Sequence, residues 1–167
     1  SIGRGAFYNC TSLTSITIPD SVTSIKDSAF SSCTSLTKIE VGAENVNYAN
    51  VSGVLFNKEK TLLHTYPAGK AGANYVIPNS VTRIWHFSFN SCSSLKSITL
   101  GNGVTSIGEK AFWNCTSLTA LTFLGDAPKI SNDAFNESSP TIYREADAKG
   151  WANTLAGRPV KLITEKP

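Results

Sequence analysis

The chain has 167 residues, of which 41% are hydrophobic, and a formal net charge of +3. This length and composition suit one domain with a continuous core, and the scattered lysines and arginines lack the basic run or aromatic stripe of a nucleic-acid binder. No stretch approaches the ~18 apolar residues of a membrane span, and no basic segment followed by an apolar one opens the chain. We therefore expect no nucleic-acid partner, no membrane insertion and no signal peptide within this sequence.

One pattern recurs from the first ten residues onward. It reads Ala-Phe-x-x-Cys-x-x-Leu, with Ser in place of Ala in the third copy, and its cysteines are Cys10, Cys33, Cys92 and Cys115. Successive cysteines are 23, 59 and 23 residues apart, and because 59 is 23 plus 36, one central repeat carries 13 extra residues. A fixed period of this length predicts a repeat solenoid. Since Ser1–Gly3 matches the middle of later repeats, we expect further repeats upstream, in place of a polar cap.

Each repeat predicts a short strand followed by a return segment. Three apolar residues spaced as Leu-x-x-Ile-x-Ile alternate with Ser and Thr, which is typical of a strand with one buried face. A turn and a second apolar pair, such as Val104 and Ile107, predict a return side, and the Ala-Phe segment is expected to make one helical or 3₁₀ turn. We expect the strands to stack into a parallel sheet on one face. The inward triplets are Leu13, Ile16 and Ile18; Leu36, Ile39 and Val41; Leu95, Ile98 and Leu100; and Leu118, Leu121 and Phe123.

Residues 42–80 form one irregular, longer repeat. Residues 54–56 and 62–66 are apolar segments that flank the polar residues 57–60, which predicts a β-hairpin insertion. Tyr75–Pro78 then resembles the strand of the first repeat, so we expect the extra residues on the return side of this repeat alone.

The last part of the chain changes character. The 23-residue register continues through Phe135, but Ser138 occupies the cysteine position. We therefore predict a solenoid over residues 1–143 and a C-terminal cap, with a short helix and a tail, over residues 144–167. The helix is predicted from three apolar residues that would share one helical face: Ala148, Trp151 and Leu155.

The repeat resembles the bacterial BspA-like leucine-rich repeats, whose pattern residues 104–123 reproduce almost throughout. The stretches 53–58 and 66–70 also look like an insertion common in that family, so the resemblance covers residues 1–143. It implies a secreted or cell-surface protein that adheres to a host or microbial surface, with an extracellular protein or glycan as partner. The chain departs from the pattern at Trp85–Ser88, where other repeats have small or charged residues.

The four cysteines favour a structural role. Zinc sites usually combine close pairs of ligands, whereas these cysteines are at least 23 residues apart. Equivalent positions on adjacent strands are ~4.7 to 4.9 Å apart with parallel side chains, which predicts a buried ladder of free, small apolar groups at positions 10, 33, 92 and 115. A disulfide is the alternative that the spacing leaves open, although parallel Cβ vectors do not favour it. We expect no metal and no cofactor.

Bases for catalysis are few, since His64 and His86 are the only histidines. Neither lies in a recognisable motif. When Tyr66–Pro67 is aligned with the Ile-Pro of the first repeat, His64 takes the position of the inward Ile16 and is expected to be a partly buried structural group. His86, next to Trp85, is expected to pack at the surface. We predict that the protein is not an enzyme, because catalysis would need one of these histidines exposed beside a nucleophile in a pocket.

The outward face of the parallel sheet is the better candidate for function, because solenoids offer extended binding surfaces. This face carries mainly short hydroxyl side chains and few charges. The alternative explanation for its threonines is structural, because ladders of threonine side chains stabilise neighbouring strands. The outward positions are Thr14, Ser15, Thr17, Thr37, Lys38, Glu40, Asn74, Val76, Lys96, Ser97, Thr99, Thr119, Ala120 and Thr122. The candidate ligand-binding residues are Thr14, Thr17, Lys38, Glu40, Lys96, Thr99, Trp113, Thr119 and Thr122.

Aromatic residues outside the sheet are more specific candidates for ligand contacts. Trp113 and Tyr8 share the slot after the corner phenylalanine, and Trp113 is the best single candidate for a contact residue. Trp85 and Phe87 either take part in recognition or, as we favour, pack beneath the hairpin at 47–67. The resulting hypothesis is a monomeric, non-enzymatic recognition module. The alternative is a structural spacer that displays another domain.

Overall fold

The computed structural model describes residues 1–167 as a β-solenoid of about six turns, with almost no helix. In chain order the strands are β1 (Ser15–Ile18), β2 (Lys38–Val41), β3 (Tyr48–Val51), β4 (Val54–Asn57), β5 (Leu62–Thr65), β6 (Asn74–Val76), β7 (Arg83–Ile84), β8 (Ser97–Leu100), β9 (Ser106–Ile107), β10 (Ala120–Phe123), β11 (Lys129–Ile130), β12 (Thr141–Arg144), β13 (Thr154–Leu155) and β14 (Arg158–Leu162). A 3₁₀ turn at Ile163–Glu165 is the only helical segment, and no helix is long and apolar enough to span a membrane.

Two parallel stacks run along the solenoid, as the repeat predicts. The front sheet consists of β1 and β2, then, after a break, β6, β8, β10, β12 and β14. The return sheet contains β5, β7, β9 and β11, each parallel to the next. Inward residues of successive front strands lie side by side, as Ile98 does with Leu121, and both of these side chains are fully buried. Complete burial of such a side chain contributes ~1.5–3 kcal/mol.

The Ala-Phe-x-x-Cys segments form consecutive turns closed by hydrogen bonds between residues three apart, and these turns do not continue into a helix. The residue before each cysteine slot has a left-handed backbone, with φ of 59° at Asn9 and 55° at Asn114. A left-handed residue interrupts a right-handed helix, and Asn tolerates this conformation better than most residues. These turns bond to one another between repeats, as when Phe89 N donates to Ala111 O at 2.8 Å. They therefore close the solenoid with a third wall, which we call the turn wall.

The corner aromatic side chains form a stack inside the turn wall. Phe89 and Phe112 have ring centroids 5.2 Å apart, and Phe112 and Phe135 are 5.4 Å apart, with interplanar angles of 17° and 16°. Tyr66 extends this stack, with its centroid 5.3 Å from that of Phe89. Tyr66 thus takes the corner-phenylalanine position, and the alignment of Tyr66–Pro67 with a front-sheet strand is wrong.

The insertion is larger than a hairpin and is not confined to the return side. Strands β3, β4 and β5 form an antiparallel meander, of which β5 joins the return sheet beside β7. The β3–β4 turn reaches the front sheet, where Gly53 O accepts a hydrogen bond from Ile39 N at 2.8 Å. The β3–β4 hairpin therefore lies across the interior of the solenoid, and we call it the septum.

The septum divides the core in two. Leu55 packs with a cluster of nine buried residues from the first two repeats, whereas Val54 and Phe56 belong to a cluster of 24 buried residues in the rest of the chain. All three side chains are fully buried, and their alternation follows from the period of two in a strand.

A close approach joins the insertion to the repeat before it. Gly69 occupies the position of the missing cysteine, and its N–H donates to Leu36 O at 2.8 Å. A Cβ at Gly69 would lie 2.6 Å from Thr34 O and from the carbonyl carbon of Ser35. Only glycine fits this contact without a backbone shift.

The C-terminal cap consists of strands, and the predicted cap helix is wrong. Strand β14 pairs in parallel with β12 and in antiparallel with β13, so it extends the front sheet. Gly150 and Gly157 have positive φ angles of 77° and 75°, and Pro159 lies within β14. These residues disfavour a helix that the apolar spacing alone would permit. Trp151 packs on Phe123 with centroids 5.1 Å apart and covers the end of the core.

Candidate binding face

The break between β2 and β6 separates the predicted surface residues into two groups. Thr14, Thr17, Lys38 and Glu40 lie on or beside β1 and β2. The second group, on or beside β8 and β10, comprises Lys96, Thr99, Thr119 and Thr122. The front sheet therefore offers two separate surfaces.

The surface on β1 and β2 is electrostatically balanced. Lys38 Nζ lies 3.3 Å from Glu40 Oε1, and the two side chains are 54% and 44% exposed. An exposed pair of this kind adds little stability, but it compensates the only two charges on these strands. Thr14 and Thr17 are exposed beside it without any charged or aromatic anchor.

Two threonine hydroxyls beside the front strands donate hydrogen bonds within the solenoid. Thr37 Oγ1 donates to Thr14 O at 3.0 Å, and Thr119 Oγ1 donates to Lys96 O at 3.1 Å. Each bond joins equivalent positions of neighbouring repeats, 23 residues apart. At these positions the stabilising role of the threonine ladder accounts for the residue.

Thr122 is not available on the surface as predicted. It is only 6% exposed, because the C-terminal segment covers it and Lys166 Nζ donates to its hydroxyl at 3.1 Å. Thr99 lies next to it on β8 and is half-buried.

A groove of about 410 Å³ crosses the outward face of β6, β8, β10 and β12. Ala120 is 7% exposed and forms the floor of the groove, between the other lining residues. Lys96 and Thr119 are the two candidate ligand-binding residues that the structure brings together here. The lining residues are Asn74, Lys96, Ser97, Thr119, Ala120, Tyr143, Lys166 and Pro167.

Tyr143 and Lys166 were missed by sequence reasoning. The strand containing Tyr143 pairs with β10 at an offset of 21 residues, as Leu121 with Ile142, so a strict period of 23 does not find it. The apolar Ile142, which lies next to Tyr143 and shortly after Pro140, could have indicated this shorter repeat. Nothing local to Lys166 points to the groove, because its position depends on how the tail folds back.

The groove is cationic. The only salt bridge in the protein joins Lys38 and Glu40, so neither Lys96 nor Lys166 has a carboxylate partner. No Asp or Glu lines the groove. Lys166 Nζ lies 5.7 Å from the centre of the Tyr143 ring, a distance at which an ammonium is attracted to the ring face.

The tryptophan and phenylalanine residues singled out in the sequence lie outside this groove. Trp113 lies on the turn wall, half-buried, with Lys110 Nζ 5.3 Å from its ring centre and Phe87 6.3 Å away. Trp85 stacks on His64 of the insertion at 6.2 Å, which confirms its predicted packing beneath the hairpin. The same prediction is wrong for Phe87, because Phe87 packs on Trp113.

The side chain at the cysteine position of the repeat is a hydrogen-bond donor as well as a small group. All four cysteines are free, but Cys10 is only half-buried, whereas the other three are buried as predicted. Cys33 Sγ donates to Phe7 O at 3.0 Å, and Cys115 Sγ donates to Phe89 O at 2.9 Å, in each case to the carbonyl 26 residues earlier. Burial raises the pKa of the Cys33 thiol, which keeps it protonated as a donor.

Ser138 makes the equivalent hydrogen bond in the last repeat. Its hydroxyl donates to Phe112 O, again 26 residues earlier. The substitution of Ser for Cys therefore preserves a small donor at this corner, which the interpretation as purely apolar packing did not include.

His64 is a buried group held by hydrogen bonds at both ring nitrogens. His64 is 5% exposed, with Nδ1 2.8 Å from Thr65 Oγ1 and Nε2 3.2 Å from Ile25 O. A carbonyl only accepts, so Nε2 carries the proton and Nδ1 accepts from the Thr65 hydroxyl. Burial of the charged form lowers the pKa of His64 to about 4. Its position is in the return sheet, not at that of Ile16.

His86 is half-exposed, and its Nδ1 accepts a hydrogen bond from Glu109 N at 2.9 Å. The gap that both histidines line has a volume of about 10 Å³, which at most suffices for one water molecule.

Repeats of one strand and one return segment, stacked around an aromatic and aliphatic interior, define a leucine-rich repeat solenoid. Six copies of the BspA type leucine rich repeat region match residues 1–64 and 69–143. The chain belongs to this family.

Similar solved structures agree with this assignment. A leucine-rich repeat protein from Eubacterium ventriosum is 30% identical, with a TM-score of 0.58 over 81% of this chain and 44% of that protein. The pneumococcal vaccine antigen PcpA is 28% identical, with a TM-score of 0.65 over 79% of this chain and 39% of the antigen. A leucine rich cell surface protein from Faecalibacterium prausnitzii is 25% identical, with a TM-score of 0.61 over 92% of this chain and 49% of that protein. This chain thus spans less than half of each of these proteins, and a comparison with curated proteins found no match.

Proposed function

We propose that this protein is a non-enzymatic recognition module of a secreted or cell-surface bacterial protein, which binds a protein or glycan on a host or microbial surface. The family supports this role, and one similar structure is described as that of a cell surface protein. The observation that carries the proposal is the groove on the front sheet, which contains Lys96 without a carboxylate partner.

The groove is a better binding site than the rest of the front sheet. On β1 and β2 the charges neutralise each other, whereas neither lysine of the groove has a carboxylate partner. The groove also combines them with Tyr143, an amphipathic aromatic side chain of the type enriched in binding hot spots.

Binding to an array of extracellular-matrix proteins and surface glycans tests the proposal. The parent protein is compared with Lys96→Glu and with Lys129→Glu, which makes the same change of charge at an exposed position of the return sheet. We expect at least one array ligand to bind the parent and Lys129→Glu but to be lost with Lys96→Glu. Equal melting temperatures of the three proteins exclude unfolding as the reason.

The spacer is the second candidate, because the hydroxyls of Thr37 and Thr119 already serve to join repeats. If the protein is a spacer, none of the three proteins should bind any ligand on the array. A ligand that binds all three equally would also contradict recognition through the groove.

A further inference from the structure

We propose that the groove binds an acidic sugar residue, that is, a uronate, a sialate or a sulfated sugar within a surface glycan. This inference rests on the proposed function and names the class of ligand for the same site. It follows from three properties of the groove: its charge, its unused hydrogen-bonding groups and its size.

The charged side chains that line the groove all have one sign. Lys96 and Lys166 line it, and Lys161 lies beside Tyr143 in the neighbouring strand of the same sheet. Because no carboxylate of the protein neutralises the two lining ammonium groups, an anionic ligand supplies the missing partner. No acidic residue occurs at the outward positions of the strands beneath the groove, which are Asn74, Val76, Ser97, Thr99, Ala120, Thr122, Thr141 and Tyr143.

The neutral polar groups of the groove suit hydroxyl-rich ligands. Ser97 Oγ donates to Asn74 Oδ1 at 2.7 Å, so the amide group of Asn74 is oriented and its two N–H hydrogens remain unused. Thr119 donates its only hydroxyl hydrogen to Lys96 O and keeps its oxygen as an acceptor. Sugar hydroxyls both donate and accept, and therefore match this combination.

The dimensions of the groove favour a sugar over an acidic protein segment. Its volume of about 410 Å³ lies within the ~300–1,000 Å³ of small-ligand sites. A stable protein–protein contact buries ~800 Å² on each partner around apolar anchors. The groove has no deep apolar pocket for such an anchor, since Ala120 is its low point and most of its lining residues are polar.

The test compares the binding of four probes to the intact chain: hyaluronan hexasaccharide, heparin hexasaccharide, the neutral chitohexaose and a deca-glutamate peptide. We expect at least one acidic hexasaccharide to bind about tenfold more tightly than chitohexaose and deca-glutamate. Lys96→Gln should weaken that binding about tenfold, because it removes a charge-assisted hydrogen bond. Lys96→Arg should preserve most of it, and Lys129→Gln, with the same loss of net charge, should leave it unchanged.

Several results would overturn the inference. One is equal weakening by Lys96→Gln and Lys129→Gln, which would indicate attraction by net charge alone. A second is tighter binding of chitohexaose, and a third is tighter binding of deca-glutamate, which would make the site neutral-sugar or peptide specific. If no probe binds but the array yields a ligand that depends on Lys96, the acidic sugar is wrong and the recognition role stands. If the array is also empty, both fail.

Discussion

Single side chains in the solenoid satisfy the backbone of the neighbouring repeat. Cys33, Cys115 and Ser138 each donate to a carbonyl 26 residues earlier, and the buried His64 bonds to Ile25 O across the insertion. A buried carbonyl that lacks a donor costs free energy comparable with a lost hydrogen bond. These positions therefore require a donor of the right size, which is a stricter condition than apolarity.

The cysteine slot provides a direct test of this condition. Cys115→Ala removes the donor to Phe89 O, whereas Cys115→Ser keeps one, as Ser138 does in the last repeat. We expect the alanine variant to lose about 1–2 kcal/mol more of the free energy of unfolding than the serine variant. Urea denaturation of the two variants measures this difference. The opposite ranking would show that the slot selects for apolarity.

His64 predicts a pH dependence of stability. Its pKa is lowered to about 4 in the folded protein and is about 6.5 in the unfolded chain. The unfolded chain therefore binds more protons between these values, so the stabilisation is complete above pH 6.5 and is lost as the pH falls to about 4. The difference amounts to about 3 kcal/mol in the free energy of unfolding.

Urea denaturation at pH 7 and at pH 4.5 checks this prediction. The variant His64→Gln should lose less of the free energy of unfolding between the two pH values than the parent protein. His86→Gln is the matched control and should follow the parent, because it leaves the buried His64 in place. An unchanged pH dependence in His64→Gln would show that His64 does not govern it.

Among the elements, the regular repeats are predictable and the irregular ones are not. The period of 23 places Ile98, Leu121 and their counterparts correctly because each repeat buries the same pattern against its neighbours. Tyr66–Pro67 mimics the Ile-Pro that ends a front strand, yet Tyr66 is in the aromatic stack. Local sequence is ambiguous there, because the choice depends on the contact of the insertion with the preceding repeat.

The same distinction applies to the groove. Alternation along the strands predicts Lys96 and Thr119, which belong to regular repeats. It does not predict the burial of Thr122 or the contribution of Lys166, because both depend on the fold of the C-terminal segment. The predicted cap helix fails for a related reason: Trp151 and Leu155 have helical spacing, but Gly150, Gly157 and Pro159 favour strands and turns.

Gly69 is an element-scale position where substitution should be damaging. A Cβ there would lie 2.6 Å from the backbone of the preceding repeat, so Gly69→Ala forces the two repeats apart. We expect it to lower the free energy of unfolding by about 1–3 kcal/mol. Gly3→Ala is the control, since Gly3 has no heavy atom within 4 Å of an added Cβ, and should stay within about 0.5 kcal/mol of the parent. Thermal denaturation that fails to separate the two variants would contradict this close contact.

At the scale of the whole molecule, the septum makes the solenoid a protein with two unequal cores. Nine buried residues form the core before it and 24 the core after it. Since a solenoid is stabilised mainly by contacts between neighbouring repeats, a division of this kind allows the two parts to open separately. The groove lies entirely on the larger part.

Hydrogen exchange of the backbone amides tests this division with a pair of neighbouring substitutions. Leu55→Ala should accelerate exchange in β1 and β2 more than in β8 and β10, because Leu55 packs on the smaller core. Phe56→Ala should have the opposite effect, because Phe56 packs on the larger core. Equal acceleration of both parts by either variant would show that the solenoid opens as one cooperative unit.

The recognition role of the groove is the central claim, and protection of lysines from amine labelling upon ligand binding tests it most directly. The chain is labelled with and without the tightest array ligand, and the modification of each lysine is measured by mass spectrometry. We predict that the ligand protects Lys96 and Lys166 and leaves Lys129 on the return sheet and Lys38 on β2 unchanged. Protection of Lys38, or of Lys110 beside Trp113, with Lys96 still fully labelled would contradict the account and place the binding surface elsewhere.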